Sequence, residues 1–372
     1  MSVLFSSIDI GPLKLKNRLI IAPMCQYSAE DGQAQDWHTI HLGQLALSGA
    51  GLLILEAAAV CAEGRITYGD LGLWDDTTAS ALAKTLTAIR KYSNIPMGIQ
   101  LAHAGSKAST QKPWHGGAPI SPEDKNGWQV IAPSALPFHE DGTVPLAASQ
   151  DDIAAIVQQF VEAAKRAADL GFEVIEVHAA HGYLLHEFLS PLSNQRQDEF
   201  GGSLENRMRL TLDVFSAVRA CVPENIVVGV RISATDWVPG GWDVEQSTTL
   251  AIELDKLNCH YLHVSSGGLS PQQEIPVEAG YQVPLAEAIK PYISMPVIAV
   301  GLITEPHQAE QILADERADA IAMARGILYN PHWAWQAAVE LDGMVEAPAQ
   351  YLRSEPHGQK GHLTEMDLSK NT

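Results

Sequence analysis

Cysteine is scarce in this 372-residue chain, and Cys25, Cys61, Cys221 and Cys259 lie far apart with no C-x-x-C pair. That spacing argues against a disulfide framework, a zinc ribbon and a cysteine-ligated iron–sulfur cluster. Positive charge is scarce too: 24 Lys and Arg against 44 Asp and Glu leave a net charge of −20, with no basic run to offset it. Nucleic acid and anionic membrane surfaces are therefore poor partners. No window approaches ~18 unbroken apolar residues, and the opening MSVLFSSIDIGPLKLKNR has no apolar signal core. A reducing cytoplasm is the expected location. No G-x-G-x-x-G turn follows an early strand pattern, which weighs against a doubly wound dinucleotide fold.

What is present is an apolar fraction of 46% with only 18% charged residues, enough for a sizeable core. Apolar runs recur at Leu19–Ala22, Leu52–Ala57, Met97–Ala102, Val174–His178, Val227–Ile232, Tyr261–Ser265, Val297–Val300 and Ala320–Ala324. Amphipathic stretches such as Ala79–Tyr92, Asp151–Leu170, Leu204–Cys221, Val244–Leu257 and Glu305–Ala314 separate them. This alternation predicts an α/β fold, a single (β/α)8 TIM barrel over residues 1–341, with a C-terminal extension over 342–372. Leu4–Lys16 reads as a hairpin turning at Gly11-Pro12 and placed to plug the barrel bottom. His103–Gln150, after the third strand, is long and rich in Pro, Gly and Trp, and reads as a lid. Glu355–Thr372 is polar and irregular, expected to be mobile or docked on a neighbour.

The stretch Gly171–Tyr183, GFEVIEVHAAHGY, brings His178, His181 and Tyr183 to one strand end. A lone histidine is more often a satisfied core residue than a ligand. Three such groups at the carboxyl end of a barrel strand point instead to chemistry. Other strand ends offer Pro23-Met24-Cys25-Gln26-Tyr27, Glu56-Ala57, Gln100 and His103, Arg231, Gly301 and Ala324-Arg325. Gly301 with Ala324-Arg325 stands where barrels grip phosphate. A phosphate grip, a glutamine, a fixed cation and a thiol together suit an isoalloxazine ring, with Arg231 placed to stabilise charge near N1 and O2.

Two other features read as structural or remain open. His38 and His41 have a metal-ligand spacing but no third ligand nearby, so they read as structural and no metal is assigned. Among the tryptophans, Trp237 and Trp242 are the ones expected nearest substrate. No lysine stands at a strand end, which weighs against a flavin-free lyase or isomerase working through a Schiff base on a phosphorylated substrate. A non-catalytic flavin-holding or redox-sensing protein is the other alternative.

Six motifs sharpen the reading: KNRLIIAPMCQYS (Lys16–Ser28), LEAAAVCAEGRIT (Leu55–Thr67), IQLAHAG (Ile99–Gly105), EVHAAHGYLLHEFLSPLSNQR (Glu176–Arg196), GGSLENR (Gly201–Arg207) and VIAVGLIT (Val297–Thr304). With them the chain resembles the old yellow enzyme family of FMN-dependent ene-reductases, in its thermophilic-like, xenobiotic reductase A-like subgroup. The resemblance implies bound FMN, reduced by NADPH or NADH, acting on the C=C bond of α,β-unsaturated carbonyl or nitro compounds. It implies flavin contacts from Ala22, Pro23, Met24, Cys25, Ala57, Gln100 and Arg231, and a phosphate site at Ala324-Arg325 beside Gly301. His178 and His181 would bind the activating oxygen of the substrate, Tyr183 would be the proton donor, Cys25 the redox-tuning thiol and Tyr27 a substrate contact. The PAQYLR segment places on Arg353 the part of an arginine that reaches a neighbouring subunit's site, in a homodimer or homotetramer.

Three positions depart from the family pattern: Phe200 for a tyrosine, Ala324 for a glycine, and Ser106 for the arginine of HAG-R-K. The larger dienoyl-CoA reductase relatives add an iron–sulfur cluster and a second nucleotide domain. For these the chain has neither the cysteines nor the length.

Overall fold

The structure is a computed structural model describing residues 2–139 and 142–369. Eight parallel strands close a barrel: β1 (Leu19–Ile21), β2 (Leu52–Ala59), β3 (Met97–Ala102), β4 (Val174–Ala179), β5 (Val227–Ser233), β6 (Leu262–Ser265), β7 (Val297–Ala299) and β8 (Ala320–Met323). Each pairs with the next in sequence, and β8 pairs with β1 to close the ring. Around it lie α1 (Asp36–Ala46), α2 (Asp76–Arg90), α3 (Gln150–Asp169), α4 (Leu204–Cys221), α5 (Val244–Lys256), α6 (Val283–Ile289), α7 (Pro306–Ala314) and α8 (Trp333–Glu340). Several begin where a short polar side chain takes an otherwise unpaired first-turn N–H. Asp75 accepts from Thr78 N at 2.8 Å, and Asp243 from Gln246 N at 2.9 Å. Among the described residues no helix is long and apolar enough to cross a membrane.

A two-residue period sorts each strand's side chains. On β1 and β2, Leu19, Ile21, Leu53 and Leu55 belong to the core shared with the helices, whereas Ile20, Leu52 and Ile54 fill the barrel's lower interior. The hairpin Ile8–Ile10/Leu13–Leu15 adds Ile10 and Leu15 to that interior layer. On β4 the inward parity runs Val174, Glu176, His178, and in the neighbourhood of β6 it runs Tyr261, His263, Ser265. The sequence of each passes from apolar to polar toward the carboxyl end.

The insertion after β3 is not structureless. It forms short 3-10 turns at Gly105–Lys107 and Pro113–His115 and a strand pair, Ile131–Ala132 with Leu146–Ala147, before α3 begins. Glu140 and Asp141 of this segment, and residues 370–372 of the extension, lie outside the described residues. Much of the extension docks on its own chain. Val345–Ala347 pairs in parallel with Leu363–Glu365, Met366 is buried, and Asn94 Nδ2 donates to Asp367 O at 2.7 Å. A few apolar positions in a polar stretch are enough to hold it, which composition alone conceals.

Candidate active site

β4 positions the chemistry. His178 is its penultimate residue, and the chain then turns through His181 (φ +60°) and Gly182 (φ +73°) into the short helix Leu184–Leu189, with Tyr183 as its N-cap. This turn brings the three rings together edge to face. His178 and His181 have centroids 5.1 Å apart, and His178 and Tyr183 5.0 Å apart. Burial, reinforced by the Arg231 charge, pushes both histidines well below their usual pKa, so they are neutral imidazoles. Burial pushes Tyr183 well above 10, keeping the phenol protonated. His181 Nε2 lies 2.7 Å from Ser265 Oγ.

Beneath these rings is a buried polar layer. Glu176 accepts from Gln100 Nε2 (2.7 Å), Tyr261 OH (3.1 Å) and His263 Nδ1 (2.9 Å). Burial alone would raise its pKa, but His263, Arg231 and Gln100 outweigh that and hold it low. Arg231 on β5 sits in register with His178 on one side and His263 on the other. It is buried, and among the described residues its Nε has no hydrogen-bond partner; the same holds for His178 Nδ1.

Cys25 follows β1, and burial, with Asp70 and Glu56 nearby, raises its thiol well above the usual value, so it is a thiol and not a thiolate. The adjoining chain is pinned by Gln26 N donating to Glu56 Oε2 at 2.9 Å and Gln26 Nε2 donating to Met24 O at 2.9 Å. Ala22 and Ala57 are buried, Ala57 at a register shift between β2 and β3, while Pro23 and Met24 are half-buried. Tyr27 (φ +51°) lines a cavity of ≈ 350 Å³ with Ser106, Lys107 and lid residues such as Phe138.

A second cavity, ≈ 290 Å³, joins His181 and Arg231 to Gly301, Ala324 and Arg325. Gly301 has φ +124°, and a Cβ there would stand 2.5 Å from Gln282 Nε2, so glycine is required on both counts. Ala324 has φ −113° and ψ −93°, outside the left-handed region that would call for glycine. Arg353 lines neither cavity. It lies on the short 3-10 helix Ala349–Ser354, whose Tyr351 packs against His332 and Trp335 at the start of α8.

Several residues of the site had not been singled out. Lys107 donates to His181 O (2.9 Å) and Gly268 O (2.8 Å), lies 5.2 Å from the Tyr183 ring centroid, and is lowered to about 8 by burial. It comes two residues past IQLAHAG, so motif continuity could have found it. Ser265, Ser266 and Gln282 belong to the sixth strand end and the following helix; listing that strand end beside the others would have exposed the two serines. Trp242 corrects an expectation. It is 1% exposed, with its indole N–H donated to Ser247, because the residues after β5 fold back under α5. Trp237 is partly buried against the core. His38 accepts from Gln35 N at 2.9 Å to cap α1, and its Nε2 lies 3.4 Å from Glu56. Phe200 packs edge to face on Phe188, centroids 6.5 Å apart. Ser106 donates through N and Oγ to Glu187, a buried carboxyl pushed up to about 8.

These features suit a flavin mononucleotide. The unpaired Arg231 Nε and His178 Nδ1 want a polar partner inside the barrel, and the ≈ 290 Å³ cavity leads from them to a glycine cradle and Arg325. Arg231, Gln100 and the Ala22–Cys25 segment would hold the ring, and Gly301 with Ala324-Arg325 the phosphate.

Comparison with known proteins agrees. The NADH:flavin oxidoreductase / NADH oxidase family matches residues 3–342. The chain is 42% identical over 354 residues to the NADPH dehydrogenase of Geobacillus thermodenitrificans, covering 95% of this chain and 98% of that one. It is 43% identical over 356 residues to the NADPH dehydrogenase of Listeria innocua, covering 95% and 99%. Among solved structures, morphinone reductase in complex with tetrahydroNAD superposes with a TM-score of 0.74 at 29% identity, covering 91% of each chain. An old yellow enzyme homologue from Zymomonas mobilis does so with 0.72 at 27%, covering 88% and 90%. The flavin-free alternative is thereby removed. The chain belongs to the NADH:flavin oxidoreductase / NADH oxidase family and is an FMN-dependent NAD(P)H oxidoreductase of the old yellow enzyme type.

Proposed function

We propose that this oxidoreductase reduces the C=C bond of small enones, nitroalkenes and related xenobiotics, with His178 and His181 binding the activating oxygen and Tyr183 donating the proton. The observation that carries the reading is the buried edge-to-face cluster of those three rings. FMN, held by Arg231, Gln100, the Ala22–Cys25 segment and the Gly301/Ala324-Arg325 cradle, would supply the hydride chemistry between NADPH or NADH and the alkene.

The chain's own residues do the rest. Neutral imidazoles offer N–H groups to the oxygen on which negative charge develops, and they need no protonation to do so. For His181 an Nδ1 proton facing substrate requires Ser265 to give its one hydroxyl proton to Nε2 (2.7 Å) rather than to its other acceptor, Ile232 O (3.1 Å). Tyr183, held as a neutral phenol, can protonate the α-carbon, a strongly basic centre once hydride has arrived at its neighbour. Arg231 supplies fixed positive charge close by, and Cys25 a neutral thiol. Tyr27, from the lid-side cavity, contacts the substrate there. Arg353 would complete the site of a neighbouring copy in a homodimer or homotetramer.

The test separates two half-reactions. His178→Ala or His181→Ala should slow alkene reduction by ~2–4 kcal/mol of lost oxyanion stabilisation, and weaken binding of phenols, while NADPH oxidation by the flavin changes far less. Equal slowing of both steps in stopped-flow traces would remove the substrate-anchor role.

A further inference from the structure

The turn carrying His181 and Tyr183 is strained and is held from behind by groups that have no part in the chemistry above. A histidine at φ +60° is costly and persists only where the surroundings over-determine it. His181 N donates to Ser233 Oγ at 2.9 Å, and Gly182 N donates to His186 Nδ1 at 2.8 Å. His186 therefore carries no proton on Nδ1. Its Nε2 lies 2.9 Å from Asp236 Oδ1 and both side chains are fully buried, but the contact is off-angle and among the described residues neither atom makes a hydrogen bond. The other oxygen of Asp236 accepts from Ser190 Oγ (2.6 Å) and Trp242 N (2.7 Å), so the carboxylate cannot turn away. Gly268 closes the turn from above, since a Cβ on Gly182 would stand 2.1 Å from its carbonyl oxygen.

We propose that His186 and Asp236 are positioning residues for alkene reduction. Asp236 fixes the His186 tautomer whose Nδ1 accepts the Gly182 N–H, and that bond sets the turn aiming His181 and Tyr183. The inference rests on the roles proposed above for those two residues. The tautomer is the sensitive point. With its proton on Nε2, the imidazole accepts from Gly182 and turns the positive edge of that N–H toward the Asp236 carboxylate 2.9 Å away. With the proton on Nδ1, two N–H groups face each other across 2.8 Å and the Gly182 peptide must rotate.

Asp236→Asn isolates this point. Ser190 and Trp242 both donate, so they claim the amide oxygen and turn the new NH2 toward His186 Nε2. Nε2 must then accept, and the proton moves to Nδ1. His186→Asn in the same chain places an amide oxygen where Nδ1 was, an acceptor that no tautomer can remove.

The experiment uses the FMN-loaded enzyme. Imidazole 15N shifts of His186 should report a neutral ring protonated on Nε2 in the wild type. An Nδ1–H or doubly protonated ring overturns the proposal, and this measurement decides even if the variants unfold. Asp236→Asn should slow alkene reduction and weaken binding of a para-substituted phenol by ~10–100-fold, as sub-ångström misplacement does, while flavin reduction by NADPH changes little. The double variant Asp236→Asn/His186→Asn should recover most of that loss. An Asp236→Asn enzyme as fast as wild type, or a double variant no better than the single, overturns the proposal. His181→Ala and Tyr183→Phe are the control: if they leave alkene reduction intact, the roles assigned to those residues fail, whatever the His186 tautomer.

Discussion

The two ends of the barrel share the same strands and obey different physics. At the amino ends Ile10, Leu15, Ile20, Leu52, Val174, Val227 and Tyr261 pack as one apolar layer, closed by a hairpin that turns at Gly11. At the carboxyl ends the same inward parity presents Glu176, His178, Arg231, His263 and Ser265, some with atoms unpaired and one neighbour at positive φ. In the lower layer the one side-chain polar group named, the Tyr261 hydroxyl, donates upward to Glu176, and the rest can be packed to high density. The upper end spends stability to hold neutral imidazoles, a protonated phenol and a buried cation within reach of a ligand. Stability and reactivity are thus separated along the strand axis by about two residues of inward parity.

The largest effect expected from that division is at the bottom. Leu15→Ala should cost ~2–5 kcal/mol of stability by opening a cavity in the interior layer. Rates measured well below the unfolding transition should stay near wild type. A matching loss of activity per folded molecule would show that the two ends are not separable.

The next is at the top, where burial holds Glu187 protonated against the opposing pull of Ser106 and the nearby Lys107 charge. Its native pKa, about 8, lies above the ordinary 4.5, so the native state binds more protons than the unfolded chain between those values. This group therefore erodes stability progressively as pH rises from about 4.5 through about 8. Ser106→Arg, which restores the residue of the HAG-R-K motif beside an open cavity, should gain ~1–3 kcal/mol at pH ~8 by pairing the carboxylate. The gain should shrink toward pH 5. Denaturant titrations at the two pH values check this, and an equal gain at both would rule out the charge explanation.

The smallest expected effect would cross the division altogether. Arg353, outside both cavities of its own chain, is proposed to serve a neighbour's site. Arg353→Ala should raise the Michaelis constant for an enone by ~3–10-fold, the net worth of one ordinary solvent-screened hydrogen bond. A wild type that sediments as a monomer, or an unchanged constant, would end that idea.

Legibility in the sequence followed the range of the interaction. The strand and helix periods are local, so the barrel, the hairpin and the cluster of His178, His181 and Tyr183 could be read within short windows. Inward parity on β4 is equally local, since Val174, Glu176 and His178 alternate in one short run. Only the tertiary structure decided what meets what. It brought Lys107 to the carbonyls of His181 and Gly268, and Ser265 to the ring of His181. It buried Trp242, set Asp236 against His186, and folded Met366 back under the barrel. Those pairings join residues far apart in the chain, and they depend on strand register and loop packing that no local pattern encodes.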